Sequence, residues 1–144
     1  MLFSNEREDL RRQYVEAWRK AREGLPVTAL EDLIASVIAE HPEYQALLEN
    51  EDALAREWTP EQGETNPFLH MGMHIAVREQ LSVDRPVGIR KAFEALAQRR
   101  GDAHAAEHDM LECLGESLWE AQRAGRMPDE TAYLEKVRQR ARGG

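Results

Sequence analysis

The chain has little of what secreted and membrane proteins need. Its 144 residues include one cysteine, Cys113, so an internal disulfide framework is excluded. The N-terminal residues, MLFSNERED, contain no apolar stretch of the kind that a secretory signal requires. No apolar run approaches the roughly 18 residues of a membrane span. We therefore expect a protein of the reducing cytoplasm that has no membrane partner.

Basic charge is also scarce relative to acidic charge. The chain carries 27 acidic and 19 basic residues, for a net charge of −8. This excess repels nucleic acid unless a basic face is segregated from it. The basic residues of the first helix are mixed with acids, and those from Lys136 to Arg142 are spread around a helix. We expect no nucleic-acid partner, and a flexible basic C-terminal tail from about residue 140.

Strand patterns are absent too, since alternating runs rich in Val, Ile and Thr do not occur. Helix caps are frequent instead. The sequence thus predicts an all-α protein, a compact helical bundle of about six or seven helices. Its length suits a single domain over 1–144.

Capping residues give the helix boundaries. Thr28 and Glu31 have the spacing of a capping box, and Asn66 precedes a proline at the first helical position. Pro86 is expected to open one helix and Asp102 to cap the next. The predicted helices run over 5–23, 28–41, 42–58, 66–81, 86–101 and 102–125 and from 128 onward, with a loop over 58–66.

The sequence does contain two histidine pairs at helical spacing, His70/His74 and His104/His108. Residues four apart share one face of a helix, close enough for both imidazoles to reach one ion. Random placement of five histidines would give about 0.14 such pairs, so the two pairs indicate a site.

Both pairs fall on apolar stripes. His70 and His74 align with Val77 and Leu81, and the second pair continues into Leu111. If the fourth, fifth and sixth helices pack up, down, up, the two pairs converge. Four buried imidazoles cannot all be protonated cheaply, and a divalent transition metal (zinc, iron, nickel or manganese) removes that conflict. We expect one metal bound by His70, His74, His104 and His108.

Glu112 lies one turn beyond His108 and is the preferred carboxylate ligand, with Glu107 next. Arg78 is expected to form an ion pair with Glu112. An open coordination position would allow a metal-activated water to act in hydrolysis, and a closed one would make the site structural. Whether the protein is an enzyme stays open, and no catalytic residue is assigned. His41, which precedes a proline at a helix end, is interpreted as structural.

The alternative is a protein-interaction or regulatory module without metal. In that interpretation the histidines are polar core residues that form hydrogen bonds across a helix interface, and acidic helix faces bind a protein partner. A homodimer is also left open by the sequence.

The segments NPFLHMGMHIAVREQ, DRPVGI and GDAHAAEHDMLECLGESLWEAQR resemble a bacterial family called domain of unknown function 1841. The resemblance covers most of the chain and is most specific over 66–123. It implies a bacterial, cytoplasmic, single-domain helical protein, and it implies no particular reaction.

Overall fold

Helices make up the regular structure of residues 6–49 and 66–143, which are the residues described by a computed structural model of the chain. No strand occurs in these two ranges, so the predicted all-α fold is confirmed. The predicted loop over 58–66 lies almost wholly outside the described residues, as does the second half of the predicted third helix. The helices are α1 (Glu6–Glu23), α2 (Ala29–Ala39), α3 (Pro42–Leu48), α4 (Pro67–Val83), α5 (Ile89–Arg100), α6 (Ala103–Ala124) and α7 (Glu130–Arg142).

The predicted N-cap residues make the expected capping hydrogen bonds. Thr28 Oγ1 accepts from the Glu31 N–H at 3.1 Å, and the Thr28 N–H donates to Glu31 Oε1 at 2.9 Å, which completes the capping box of α2. The side chains of Asn66 and Asp102 likewise accept N–H groups two or three residues further on. Asp129 caps α7 in the same way, by accepting from the Ala132 N–H. These bonds satisfy amides that a helix start leaves without partners.

The start of α5 differs from the prediction. Gly88 is its N-cap with φ of 101°, a left-handed conformation, so the helix begins at Ile89 and not at Pro86. Asp84 Oδ1 accepts from the N–H groups of Arg90 at 3.0 Å and Gly88 at 3.2 Å. These backbone donors, that of Arg90 first, hold the pKa of the Asp84 carboxyl below its ordinary value. The carboxylate therefore caps α5 from the turn that precedes it.

The structure divides into two compact units, Met1–Ile75 and Ala76–Gly144, and the boundary falls within α4. The first unit contains α1, α2, α3 and the first half of α4. Nine of its buried apolar side chains form one cluster, because the apolar stripes of these helices face one another. The buried members are Tyr14, Ala17, Ile34, Val37, Ile38, Leu48, Phe68, Met71 and Ile75.

The second unit contains the rest of α4 together with α5, α6 and α7. Cys113 is buried in it, and burial raises the pKa of the thiol. The helix α7 continues to Arg142, within the segment expected to be a flexible tail, and Arg140 Nη1 donates to Glu112 Oε2 at 2.9 Å. That the whole chain forms one domain stays a prediction.

A search of the described helices finds none that is both long and apolar enough to cross a membrane.

Candidate metal centre

Three histidines meet in the first unit. His41 lies between α2 and α3, and His70 and His74 lie on α4. One potential ligand nitrogen from each ring lies within 4.8 Å of the others. His41 and His74 are buried and His70 is partly buried. The group therefore has the composition and the proximity of a metal site.

The α4 pair has the spacing that two ligands of one ion require. The Nε2 atoms of His70 and His74 are 3.2 Å apart, and one donates a hydrogen bond to the other. Two nitrogens bound to a tetrahedral zinc ion at about 2.0–2.1 Å are separated by about 3.3 Å. The distance between these two nitrogens therefore matches that of two ligands on one ion.

The ring of His41 is oriented by the end of α2. Its Nδ1 lies 2.7 Å from the Val37 carbonyl oxygen, which can only accept, so Nδ1 carries the proton and donates. In a neutral ring this leaves the Nε2 lone pair available for an ion. Histidines that bind metals commonly donate their other N–H to a carbonyl or carboxylate in this way.

Tyr44 packs against the cluster from α3. Its ring is stacked on His41, with centroids 5.6 Å apart and an interplanar angle of 12°, and lies edge-on to His70 at 6.2 Å. Burial, aided by the charge of Glu43, raises the pKa of the Tyr44 hydroxyl. At neutral pH the tyrosine therefore remains protonated and adds no negative charge beside the imidazoles.

His41 belongs to this group although its sequence context predicts a structural role, since it precedes Pro42 and has no histidine at helical spacing. The structure places its ring centroid 4.7 Å from that of His74, although 32 residues separate them in the sequence. Ligands from separate helices have no fixed spacing, so no sequence signal marks His41 as a partner of the α4 pair.

The second predicted pair lies in the second unit. His104 and His108 are neighbours on α6, with ring centroids 4.5 Å apart. His108 Nδ1 donates to the His104 carbonyl oxygen at 3.1 Å. His104 is exposed and His108 is partly buried. Convergence of this pair with His70 and His74 stays a prediction.

The two candidate carboxylates differ in environment. The side chain of Glu112 is 64% exposed and pairs with Arg140 at 2.9 Å, whereas that of Glu107 is 11% exposed. Arg78 donates from Nε to Glu107 Oε1 at 2.9 Å and from Nη2 to Oε2 at 3.4 Å. The expected pairing of Arg78 with Glu112 is therefore wrong, because Arg78 pairs with the buried carboxylate. Glu112 as a metal ligand stays a prediction.

The three-histidine group is chemically suited to transition-metal ions. Imidazole nitrogens bind zinc, iron and nickel, whereas magnesium and calcium prefer oxygen. Three protein ligands leave at least one position that water or another ligand could fill, and zinc in such a setting lowers the pKa of its water. The group can therefore support either a structural or a chemically active ion.

Comparison with known proteins adds a family and no activity. No curated protein and no solved structure matches the chain. A family model described as "Domain of unknown function (DUF1841)" matches residues 6–139, which confirms the resemblance drawn from the sequence. Because the match spans most of its 144 residues, the chain belongs to the DUF1841 family.

Proposed function

We propose that the protein binds a divalent transition metal between His41, His70 and His74. The observation that carries this proposal is the 3.2 Å separation of the His70 and His74 Nε2 atoms beside the buried His41 ring. The hydrogen bond from His41 Nδ1 to the Val37 carbonyl supports it further, since it directs the other nitrogen's lone pair away from the backbone.

Zinc is the first expectation for the ion, followed by nickel and iron. An all-imidazole set has no carboxylate oxygen to favour manganese, and affinity for divalent ions rises from manganese toward zinc and copper. The 3.2 Å Nε2 separation also suits the tetrahedral angle and short bonds of zinc. The alternative ligand set is the one predicted from the sequence, in which His70, His74, His104 and His108 bind the ion with Glu112 and His41 does not.

The rival function is an interaction module in which the histidines only stabilise the core. The same two hydrogen bonds favour it, because they give His41 and the α4 pair partners without any ion. The test must therefore measure the ion itself and not only the stability of the fold.

The experiment is metal analysis of protein purified without a histidine tag, followed by titration of the apoprotein with Co²⁺ and visible absorption. We expect about one ion per chain and the absorption of a nitrogen-bound, four-coordinate cobalt ion. His41→Gln, His70→Gln and His74→Gln should each lose most of the bound ion. Circular dichroism of each variant separates lost ligands from lost folding.

His104→Gln is the matched control, because it alters an exposed histidine of the second unit. Retention of the ion by this variant supports the three-histidine site. Equal loss from His104→Gln and His74→Gln overturns the three-histidine site in favour of the four-histidine form. A wild type with little metal, no cobalt spectrum and a melting curve unmoved by chelator overturns metal binding altogether.

A further inference from the structure

The second unit has a cleft of its own. It lies among the C-terminal half of α4, the turn that follows, α6 and the start of α7, and its volume is about 500 Å³. Sites for small molecules commonly measure about 300–1,000 Å³. The cleft is therefore large enough for a compact organic ligand, and none of the residues assigned above to the metal lines it.

Apolar side chains form most of its walls. The apolar residues that line it include Val83, Pro86, Leu114, Leu118 and Pro128. Two of them are well exposed, Val83 by 68% and Leu118 by 42%. Covering this apolar area would remove it from water and favour a ligand with an apolar body.

Polar groups within the cleft are organised to meet a ligand. The Tyr133 hydroxyl donates to Gln80 Oε1 at 2.7 Å, which orients the amide and leaves its NH₂ group to donate. Ser117 is 5% exposed, lines the same cleft, and its hydroxyl has no hydrogen-bond partner among the described residues. A buried hydroxyl without a partner is uncommon, and a polar ligand atom would satisfy it.

The ionisable residues that line the cleft are mostly acidic. Glu79, Asp129 and Glu130 contribute three carboxylates against the single guanidinium of Arg85. Arg85 Nε already lies 3.6 Å from Glu130 Oε1, so its charge is largely matched. The remaining negative potential favours a cationic group and disfavours a carboxylate or phosphate.

We propose that this cleft binds a small organic cation, an ammonium group carried on an apolar body. The apolar walls take the body, the acidic rim takes the charge, and Gln80 and Ser117 meet other polar atoms of the ligand. The site is separate from the metal proposal, since it lies wholly in the second unit and needs no ion.

Three probes of equal chain length test the proposal: n-octylammonium, n-octanol and n-octanoate, each titrated by calorimetry and by backbone amide NMR. We expect n-octylammonium to bind about tenfold more tightly than n-octanoate, with n-octanol between them. Glu79→Gln should weaken n-octylammonium and leave n-octanol unchanged. Equal affinity of the amine and the carboxylate, or no saturable binding of any probe, overturns the proposal.

Val83→Trp and Val87→Trp form a matched pair. Val83 lines the cleft, whereas Val87 lies outside the lining and is 83% exposed. We expect Val83→Trp to weaken every probe by about tenfold because the larger side chain fills part of the cleft, and Val87→Trp to leave affinity unchanged. An equal effect of both variants, or none from Val83→Trp, places the binding elsewhere and overturns the assignment.

Discussion

At the scale of single residues, burial decides what each charged side chain does. Glu107 and Glu112 both lie on α6 and both pair with arginines, yet the side chain of one is 11% exposed and that of the other 64%. An exposed pair is screened by water and contributes little to stability. A buried pair is costly to break, because removal of one partner leaves the other charge poorly compensated.

Replacement of the buried carboxylate should therefore be costly. We expect Glu107→Gln to lower the free energy of unfolding by about 2–3 kcal/mol, because a neutral amide would replace the carboxylate that accepts from Arg78 Nε and Nη2. Glu112→Gln should change it by less than about 0.5 kcal/mol. Urea titration followed by circular dichroism measures both, and equal destabilisation would contradict the burial argument.

At the scale of helices, backbone conformation sets where α5 begins and ends. Gly88 before the helix has φ of 101° and Gly101 after it has φ of 70°. Both values lie in the left-handed region, where a Cβ atom is disfavoured. At Gly101 an added Cβ would meet no atom within 4 Å, whereas at Gly88 it would lie 2.9 Å from Arg138 Nη2.

The two glycines should thus respond differently to alanine. We expect Gly101→Ala to cost about 1 kcal/mol of unfolding free energy, from the backbone alone. Gly88→Ala should cost about 2 kcal/mol or more, since its φ lies further from the left-handed minimum and Arg138 must also move. Chemical denaturation measures the unfolding free energy of each variant. A larger loss for Gly101→Ala than for Gly88→Ala would contradict this argument and show that the turn around Gly88 relaxes.

At the scale of the whole molecule, charge is divided unequally between the two units. Residues 1–75 carry 15 acidic and 7 basic residues, whereas residues 76–144 carry 12 of each. The net charge of −8 therefore belongs to the half of the chain that contains His41, His70 and His74. A negative field attracts cations over a distance, so this asymmetry favours approach of a metal ion to that unit.

Metal binding should stabilise the molecule and mark the unit that holds the ion. With free zinc at about 100 times its dissociation constant, we expect about 2.7 kcal/mol of added stability, and none in His74→Gln. Hydrogen exchange should slow most at the end of α2, in α3 and in the first half of α4. The amides of α7 serve as the internal reference, and protection confined to α7 would contradict the proposed location.

Interactions between residues a few positions apart could be predicted from the amino-acid sequence alone. Caps such as Thr28 and Asn66, and the side-by-side imidazoles of His70 and His74, follow from spacings of two to four residues within one helix. Other features depend on how the helices pack. They are the position of His41 beside the α4 pair, the pairing of Arg78 with Glu107 and not with Glu112, and the cleft beside Tyr133. The physical reason is the range of the interaction. Local hydrogen bonds and helical periodicity are determined by residues close together in the sequence. Contacts between helices depend on how the side chains of one helix surface fit against those of another.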